Sequence, residues 1–373
     1  VDKGMAILSL ELRDFKNYEQ LRLEFCSDLN GMAGPNGAGK TNILDALYYL
    51  CTTKGYFNGT EQYNFKHGTE LMQLKGSIAL NGYDYQAEIR VAKGKKKEVL
   101  INKARESKLS EYVGKFPVVI IAPDDNQIIL GGSEERRRML DSGLCQADST
   151  YTDQLLRYNK VLQQRNALLK QIADSERRQD SLLDTIDEML AGLAQGIYVQ
   201  RKEFCSSYSN IAADVYKQIS GDAEEASIQY KSHLDEYPLE TWLKKNRDKD
   251  IILQRTSKGI HLDDLDLELD GHPVKKVGSQ GQQKTFVVAL KMGLYALLKD
   301  RKNLYPALLL DDIFEKFDEE RVSRLFEWLG DGHKGQIFIS DTHPDRLESF
   351  MSRSGRPYQL FQVNNGEVNE KGR

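Results

Sequence analysis

Up to Ala33 the chain alternates apolar and polar positions in short runs, Ile7-Leu8-Ser9-Leu10-Glu11-Leu12 and then Leu21-Arg22-Leu23-Glu24-Phe25. That alternation predicts strands feeding a glycine-rich turn, with a helix beginning near Lys40. Residues 76–80 and 83–91 repeat the strand pattern on either side of Asn81-Gly82. This pair accepts the positive φ angles of a tight hairpin turn. After about residue 134 Gln, Leu, Arg and Asp dominate, and no proline occurs between Pro123 and Pro238, so the stretch is expected to be helical. Leu155, Leu162 and Leu169 recur at every seventh position. Beyond a polar break at 174–180, Leu183, Ile186, Leu190, Leu193 and Ile197 resume helical spacing. Two antiparallel helices would bury these stripes on each other. From about 251 strand patterning returns, with Leu265, Leu267 and Leu269 alternating before Asp270-Gly271, and two strand–helix units close the chain.

The expected architecture is therefore α/β. A head made of residues 5–130 plus 250–373 is split by a helical insertion domain, 131–249, that carries a short antiparallel helix pair. Val1-Asp2-Lys3-Gly4 ahead of Met5 reads as a cloning remnant.

Composition narrows the function classes. The 373 residues are 40% apolar and 29% charged, which excludes disordered and collagen-like chains. Net charge is -4, so a nucleic-acid partner has to be met by a local basic patch. Apolar runs such as Val118 to Ala122 and Phe286 to Leu290 are far shorter than the roughly 18 residues a membrane span needs. Cys26, Cys51, Cys145 and Cys205 are spaced neither as a metal clip nor as a disulfide framework. A cytoplasmic protein without a membrane partner is expected.

Gly34-Pro35-Asn36-Gly37-Ala38-Gly39-Lys40-Thr41, running on into Asn42, fits the phosphate-binding loop pattern, with a strand before it and a helix after it. Glycines let successive N–H groups turn toward phosphates at a helix N-terminus. Lys40 supplies a point charge to the β/γ oxygens, and Thr41 is placed to coordinate Mg²⁺. A nucleoside triphosphate is the natural ligand. Ala307-Leu308-Leu309-Leu310 ends in Asp311-Asp312, as a buried parallel strand delivers carboxylates to a ligand edge. Asp311 would hold the Mg²⁺ and Asp312 would polarise the attacking water. Ser279-Gln280-Gly281-Gln282 opens a helix shortly before that acidic strand. It reads as a second anion site or as an ordinary serine N-cap.

Ser279-x-Gly281-Gln282 resembles the signature motif of the ATP-binding-cassette superfamily, in which that serine and helix N-terminus meet the ATP of the other subunit. Glu315-Lys316-Phe317-Asp318 is placed like its D-loop. Asp341-Thr342-His343 is placed like its switch-histidine loop, which implies a γ-phosphate contact for His343. Within the superfamily, several segments resemble the RecF family of bacterial DNA replication and repair proteins, in the SMC/Rad50-like branch. They are Leu10 to Tyr18, Gly34 to Leu44, Gly131 to Asp141, Ser279 to Gln283 and Leu310 to Asp318. The resemblance implies a P-loop ATPase head and an ATP-dependent homodimer that closes on double-stranded DNA. It also implies a role beside gapped DNA with RecR, RecO and the RecA recombinase, and weak, DNA-stimulated hydrolysis. Two positions depart from the family pattern: Leu262 stands where an arginine is expected in Gly259 to Asp264, and Gln127 is the nearest match to the glutamine loop.

For DNA contact the sequence offers Arg13, Lys16, the run Lys95, Lys96 and Lys97, and Arg136 with Arg137. Phosphate neutralisation by such groups is salt-sensitive and blind to sequence. A solvated hairpin tip explains the lysine run equally well. The alternative function is the ATPase subunit of a membrane transporter, which needs no DNA affinity.

Overall fold

The computed structural model describes residues 4–175, 180–221, 224–316, 319–329 and 334–371. Phe317 and Asp318 of the expected D-loop lie outside the described residues, as do Val1-Asp2-Lys3.

A parallel strand covered on both faces reads as an unbroken apolar run, and Val118–Ile121 and Ala307–Leu310 are such strands. Val118, Ile120, Ala307 and Leu309 point into one core, whereas Val119, Ile121, Leu308 and Leu310 point into the other. The sheet they belong to runs Glu367–Glu370, Tyr358–Asn364, Leu29–Ala33, Ile337–Asp341, Ala307–Leu310, Val118–Ile121. All neighbours are parallel except the C-terminal hairpin. On one side the helix Lys40–Thr52 lies between this sheet and a seven-stranded antiparallel sheet. That second sheet contains the hairpin Leu71–Leu80 and Tyr83–Ala92, turned as expected by Asn81 and Gly82, both at positive φ.

On the other side lie Ser133–Ala147, Ser149–Ser175, the 41-residue helix Asp180–Ser220 and Gln280–Lys302. Asp180–Ser220 and Gln280–Lys302 meet at Gly293, where an added Cβ would come within 2.7 Å of the Ala212 Cβ. A small three-stranded sheet, Ala226–Lys231, Asp264–Leu269 and His272–Pro273, rests on the same core.

Three expectations change. Ala226–Lys231 is a strand inside the stretch expected to be wholly helical, because Asp264–Leu269 pairs with it over its whole length. Leu155 and Leu162 are only partly buried. The buried stripe of Ser149–Ser175 is Tyr151, Tyr158, Val161, Arg165, Leu168, Leu169 and Ile172. Arg165 takes the central place, reaching Asp187 at 2.6 Å, Asp250 at 2.7 Å and Thr256 at 2.9 Å. The last segment is a hairpin, Tyr358–Asn364 with Glu367–Glu370, whose turn residue Asn365 has positive φ.

Leu262, the departure from the family pattern, is partly exposed, while its neighbours tie the helices to the head. Asp263 accepts from Arg201 at 2.7 Å, and Asp264 holds Arg136 at 2.6 Å. His261 donates from Nε2 to the Thr256 carbonyl at 3.1 Å, which leaves Nδ1 to accept from the Tyr158 hydroxyl at 2.8 Å. Burial, reinforced by the Arg137 charge, pushes His261 down from 6.5 to about 4. The unfolded chain therefore binds the extra proton first. The stability His261 contributes is complete above about pH 6.5 and is lost as pH falls through about 4. Urea unfolding of wild type against His261→Asn should show wild type losing more stability than the variant between about pH 7 and about pH 4, by roughly 2–3 kcal/mol. Equal losses would remove His261 from the acid sensitivity.

Candidate nucleotide site

Three loops that are far apart in sequence leave the same sheet edge, because Leu29–Ala33, Ile337–Asp341 and Ala307–Leu310 are consecutive neighbours in the sheet. Ligands collect at the carboxyl ends of parallel strands. The first loop needs its glycines. A Cβ at Gly34 would stand 2.0 Å from the Val363 carbonyl oxygen, and Gly39 combines φ 116° with contact to Tyr18 and Asn17. Pro35, Asn36 and Gly37 are exposed, and Ala38 is buried beneath them. Lys40 curls back over this loop, donating to the carbonyls of Gly34 at 2.9 Å and Pro35 at 3.3 Å. Asn42 donates to Asn17 at 2.7 Å.

Across the edge, the Thr41 hydroxyl lies 3.1 and 3.0 Å from the two carboxylate oxygens of Asp311. Lys40 Nζ is 3.9 Å from Asp312 Oδ1. Burial, added to by the neighbouring Asp312 charge, pushes Asp311 up to about 6, against the hydrogen bonds from Ser340 and Thr41. A hydroxyl and a buried carboxylate side by side are the hard oxygen ligands that Mg²⁺ takes beside a phosphate, so the residues fit that ion. Ser340 lies between the two acids: its hydroxyl donates to Asp311 Oδ1 at 2.7 Å and accepts from the Asp312 N–H at 2.8 Å.

His343 is exposed at the third loop, its Nδ1 2.8 Å from the Thr342 hydroxyl. Behind it the buried Asp341 accepts from Arg346 Nε at 2.8 Å, which fixes the base of the loop. The resemblance's signature serine caps Gln280–Lys302. Ser279 N–H donates to Gln282 Oε1 at 2.6 Å, and the Gln282 N–H donates to Ser279 Oγ at 3.2 Å. Ser279 and Gln280 face solvent, and Gly281 leaves room for Arg321. Gln282 also reaches Glu224 at 2.6 Å.

Gln127 lines a cavity of about 640 Å³ with Tyr56, Asp125 and Lys291. Its neighbour Asn126 shares a separate, smaller cavity with Asp311 and Lys284. Asn126, not Gln127, is thus the residue of this pair that shares a cavity with Asp311. Of the basic residues singled out for DNA, Arg13, Lys95 and Lys96 are exposed. Four others are engaged internally. Lys16 pairs with buried Asp45, and Lys97 pairs with Glu61 at 2.7 Å and lies over the Tyr49 ring. Arg136 pairs with Asp264, and Arg137 donates to the Asp263 carbonyl at 2.6 Å.

Sequence reasoning missed Ser340, Asn17, Tyr18 and the buried Asp125–Lys291 pair at 3.0 Å. Ser340 had a signal: a hydroxyl breaks the apolar run Ile337-Phe338-Ile339 one residue before the strand ends. The Asp125–Lys291 pair had none, being 166 positions apart in sequence.

Comparison with known proteins gives the family. The profile of the RecF/RecN/SMC N terminal domain family matches residues 6–369. A DNA replication and repair protein RecF from Flavobacterium johnsoniae is 41% identical over 359 residues, covering 96% of this chain and 100% of the relative. The RecF of Porphyromonas gingivalis is 38% identical over 366 residues, covering 98% and 100%. A solved structure of the recombination mediator protein RecF with ATP, from the RecFOR pathway, superposes with a TM-score of 0.89 at 26% identity, covering 100% of this chain and 99% of that one. The Smc head domain of Pyrococcus furiosus, at 15% identity and a TM-score of 0.55, covers 98% of this chain and 96% of that one and shares the fold. With an ATP-binding-cassette head of the SMC type and relatives of this name along nearly its whole length, the chain belongs to the RecF family of DNA replication and repair proteins.

Proposed function

We propose that the chain is an ATP-dependent DNA-binding ATPase of recombinational repair and replication, which dimerises on ATP, closes on double-stranded DNA beside single-strand gaps and lets go on hydrolysis. One observation carries this reading. Lys40, Thr41, Asp311 and Asp312 converge on one sheet edge, while the cap of Ser279 and Gln280 faces outward, available to a second copy. In such a dimer Lys40 and the Gly34–Gly39 amides bind the phosphates, Asp312 takes up the proton of the attacking water, and His343 contacts the γ-phosphate. Mg²⁺ held by Thr41 and Asp311 would neutralise charge on the phosphate oxygens. Ser279 and Gly281 of the second copy complete the site, so turnover is slow and rises with DNA. The head would be residues 5–130 plus 250–373, with 131–249 as the inserted helical domain. RecR, RecO and RecA are the expected partners, in keeping with relatives in the RecFOR pathway. The transporter alternative draws no support from these relatives, and among the described residues no helix is long and apolar enough to cross a membrane.

The test is anisotropy of a labelled duplex with Mg·ATP and without nucleotide, on wild type and Ser279→Arg. Tight binding only with ATP, lost in the variant, is the expected result. Absence of DNA binding at low salt under both conditions would overturn the reading. Exposure narrows the DNA set to Arg13, Lys95 and Lys96. The double variant Lys95→Glu/Lys96→Glu should bind DNA more weakly on every sequence and lower the salt slope by about 2, since each phosphate contact contributes about 0.9. An unchanged slope returns both lysines to a solvated hairpin tip.

A further inference from the structure

Ser340 is fully buried in the strand Ile337–Asp341, between the phosphate-loop strand and the acidic strand. Pairing of Leu310 with Ile339 puts Ser340 level with Asp311 at the next step of the register. A hydroxyl has one proton and two lone pairs. Here the proton goes to Asp311 Oδ1 at 2.7 Å, and a lone pair receives the Asp312 N–H at 2.8 Å. Asp312 Oδ1 is also near, at 3.4 Å. Asp312 itself has φ 45°, a left-handed conformation that a residue with a side chain keeps only when its surroundings hold it there. The Ser340 contact supplies such a hold on the amide that follows Asp311. One side chain therefore fixes the direction of the first carboxylate and the turn that aims the second.

We infer that Ser340 is the positioning residue of the Asp311–Asp312 pair, setting the carboxylate geometry that receives Mg²⁺ and the attacking water. The inference rests on the proposed ATPase reading. Without the hydroxyl, the Asp311 carboxylate keeps the Thr41 contact but loses the bond that fixes Oδ1, and the left-handed turn at Asp312 loses its amide partner. Binding of the phosphates by Lys40 and the loop amides does not pass through Ser340, so nucleotide affinity without metal should be unaffected.

The experiment is calorimetric titration of ATP into the full chain with and without Mg²⁺, for wild type, Ser340→Ala and Ser340→Thr, alongside steady-state hydrolysis. Wild type should gain affinity when Mg²⁺ is added. Ser340→Ala should keep the metal-free affinity and lose about 10- to 100-fold of the Mg²⁺ gain, the worth of one charge-assisted hydrogen bond. In hydrolysis KM for Mg·ATP should rise by a similar factor, because slow turnover makes KM follow affinity, kcat should fall as well, and Ser340→Thr should restore both. Should the alanine variant fail to fold, Ser340→Cys keeps the volume with only a weak donor and decides the same question. A full Mg²⁺ gain in the folded variant overturns the inference. If wild type shows the Mg²⁺ gain but no hydrolysis, the ATPase reading fails, and the Mg²⁺ comparison still decides the role of Ser340.

Discussion

Asp312→Asn should bind ATP and scarcely hydrolyse it, with turnover lower by about 10²- to 10⁴-fold, the usual worth of a positioned general base. The amide keeps the size of the carboxylate and its place near Lys40, 3.9 Å away in wild type, but has no basic oxygen for the proton of water. The phosphate loop is untouched, since Lys40 is held by the Gly34 and Pro35 carbonyls and Thr41 by Asp311. ATP should then persist in the site, and the dimer with it. Size-exclusion chromatography with Mg·ATP, paired with phosphate release, reads both. A variant that hydrolyses at the wild-type rate would take Asp312 out of the chemistry.

Arg201→Met is expected to lower folding stability by about 3–5 kcal/mol, the cost of leaving buried partners of an ion pair uncompensated. Arg201 is nearly inaccessible and joins four groups: Asp263 and the Ile260 carbonyl, both at 2.7 Å, Asp141 at 2.8 Å and the Tyr151 hydroxyl at 3.0 Å. Asp263 is fully buried and also accepts from Tyr230. Methionine fills much of the space and provides none of the five donors. Urea unfolding measures the loss, and a change below about 1 kcal/mol would mean that Asp263 finds another partner or stays protonated.

The nucleotide loop could be read directly from sequence because its chemistry is local. Gly34 to Thr41 carries its own turn, helix start and cation within eight residues. The hairpin at Asn81-Gly82 and the alternation of Leu265, Leu267 and Leu269 were legible for the same reason. The basic residues were not. Whether Lys16, Lys97, Arg136 or Arg137 meets solvent depends on Asp45, Glu61, Asp264 and the Asp263 carbonyl, which only folding brings near. The leucine seam failed on the same ground. Period alone does not reveal that Arg165 can occupy the buried stripe once Asp187, Asp250 and Thr256 surround it. Ser279 shows the reverse limit: its capping box is plain, and a cap and an anion site use the same serine.

The unbroken helix Asp180–Ser220 has a mechanical consequence. Its 41 residues make a rod of about 60 Å at 1.5 Å per residue. The C-terminal part is clamped against Gln280–Lys302 through Ala212 and Gly293, and Gln282 of the cap holds Glu224 just past its end. The other end begins at Asp180. From Ala212 to Asp180 the arm is about 48 Å, and a tilt of about 5° at the clamp would sweep that end through about 4 Å, since displacement is arm length times angle. The exposed cap of Ser279 and Gln280 thus sits beside the fulcrum of a lever, and a small angular adjustment there is geared up by the length of the arm.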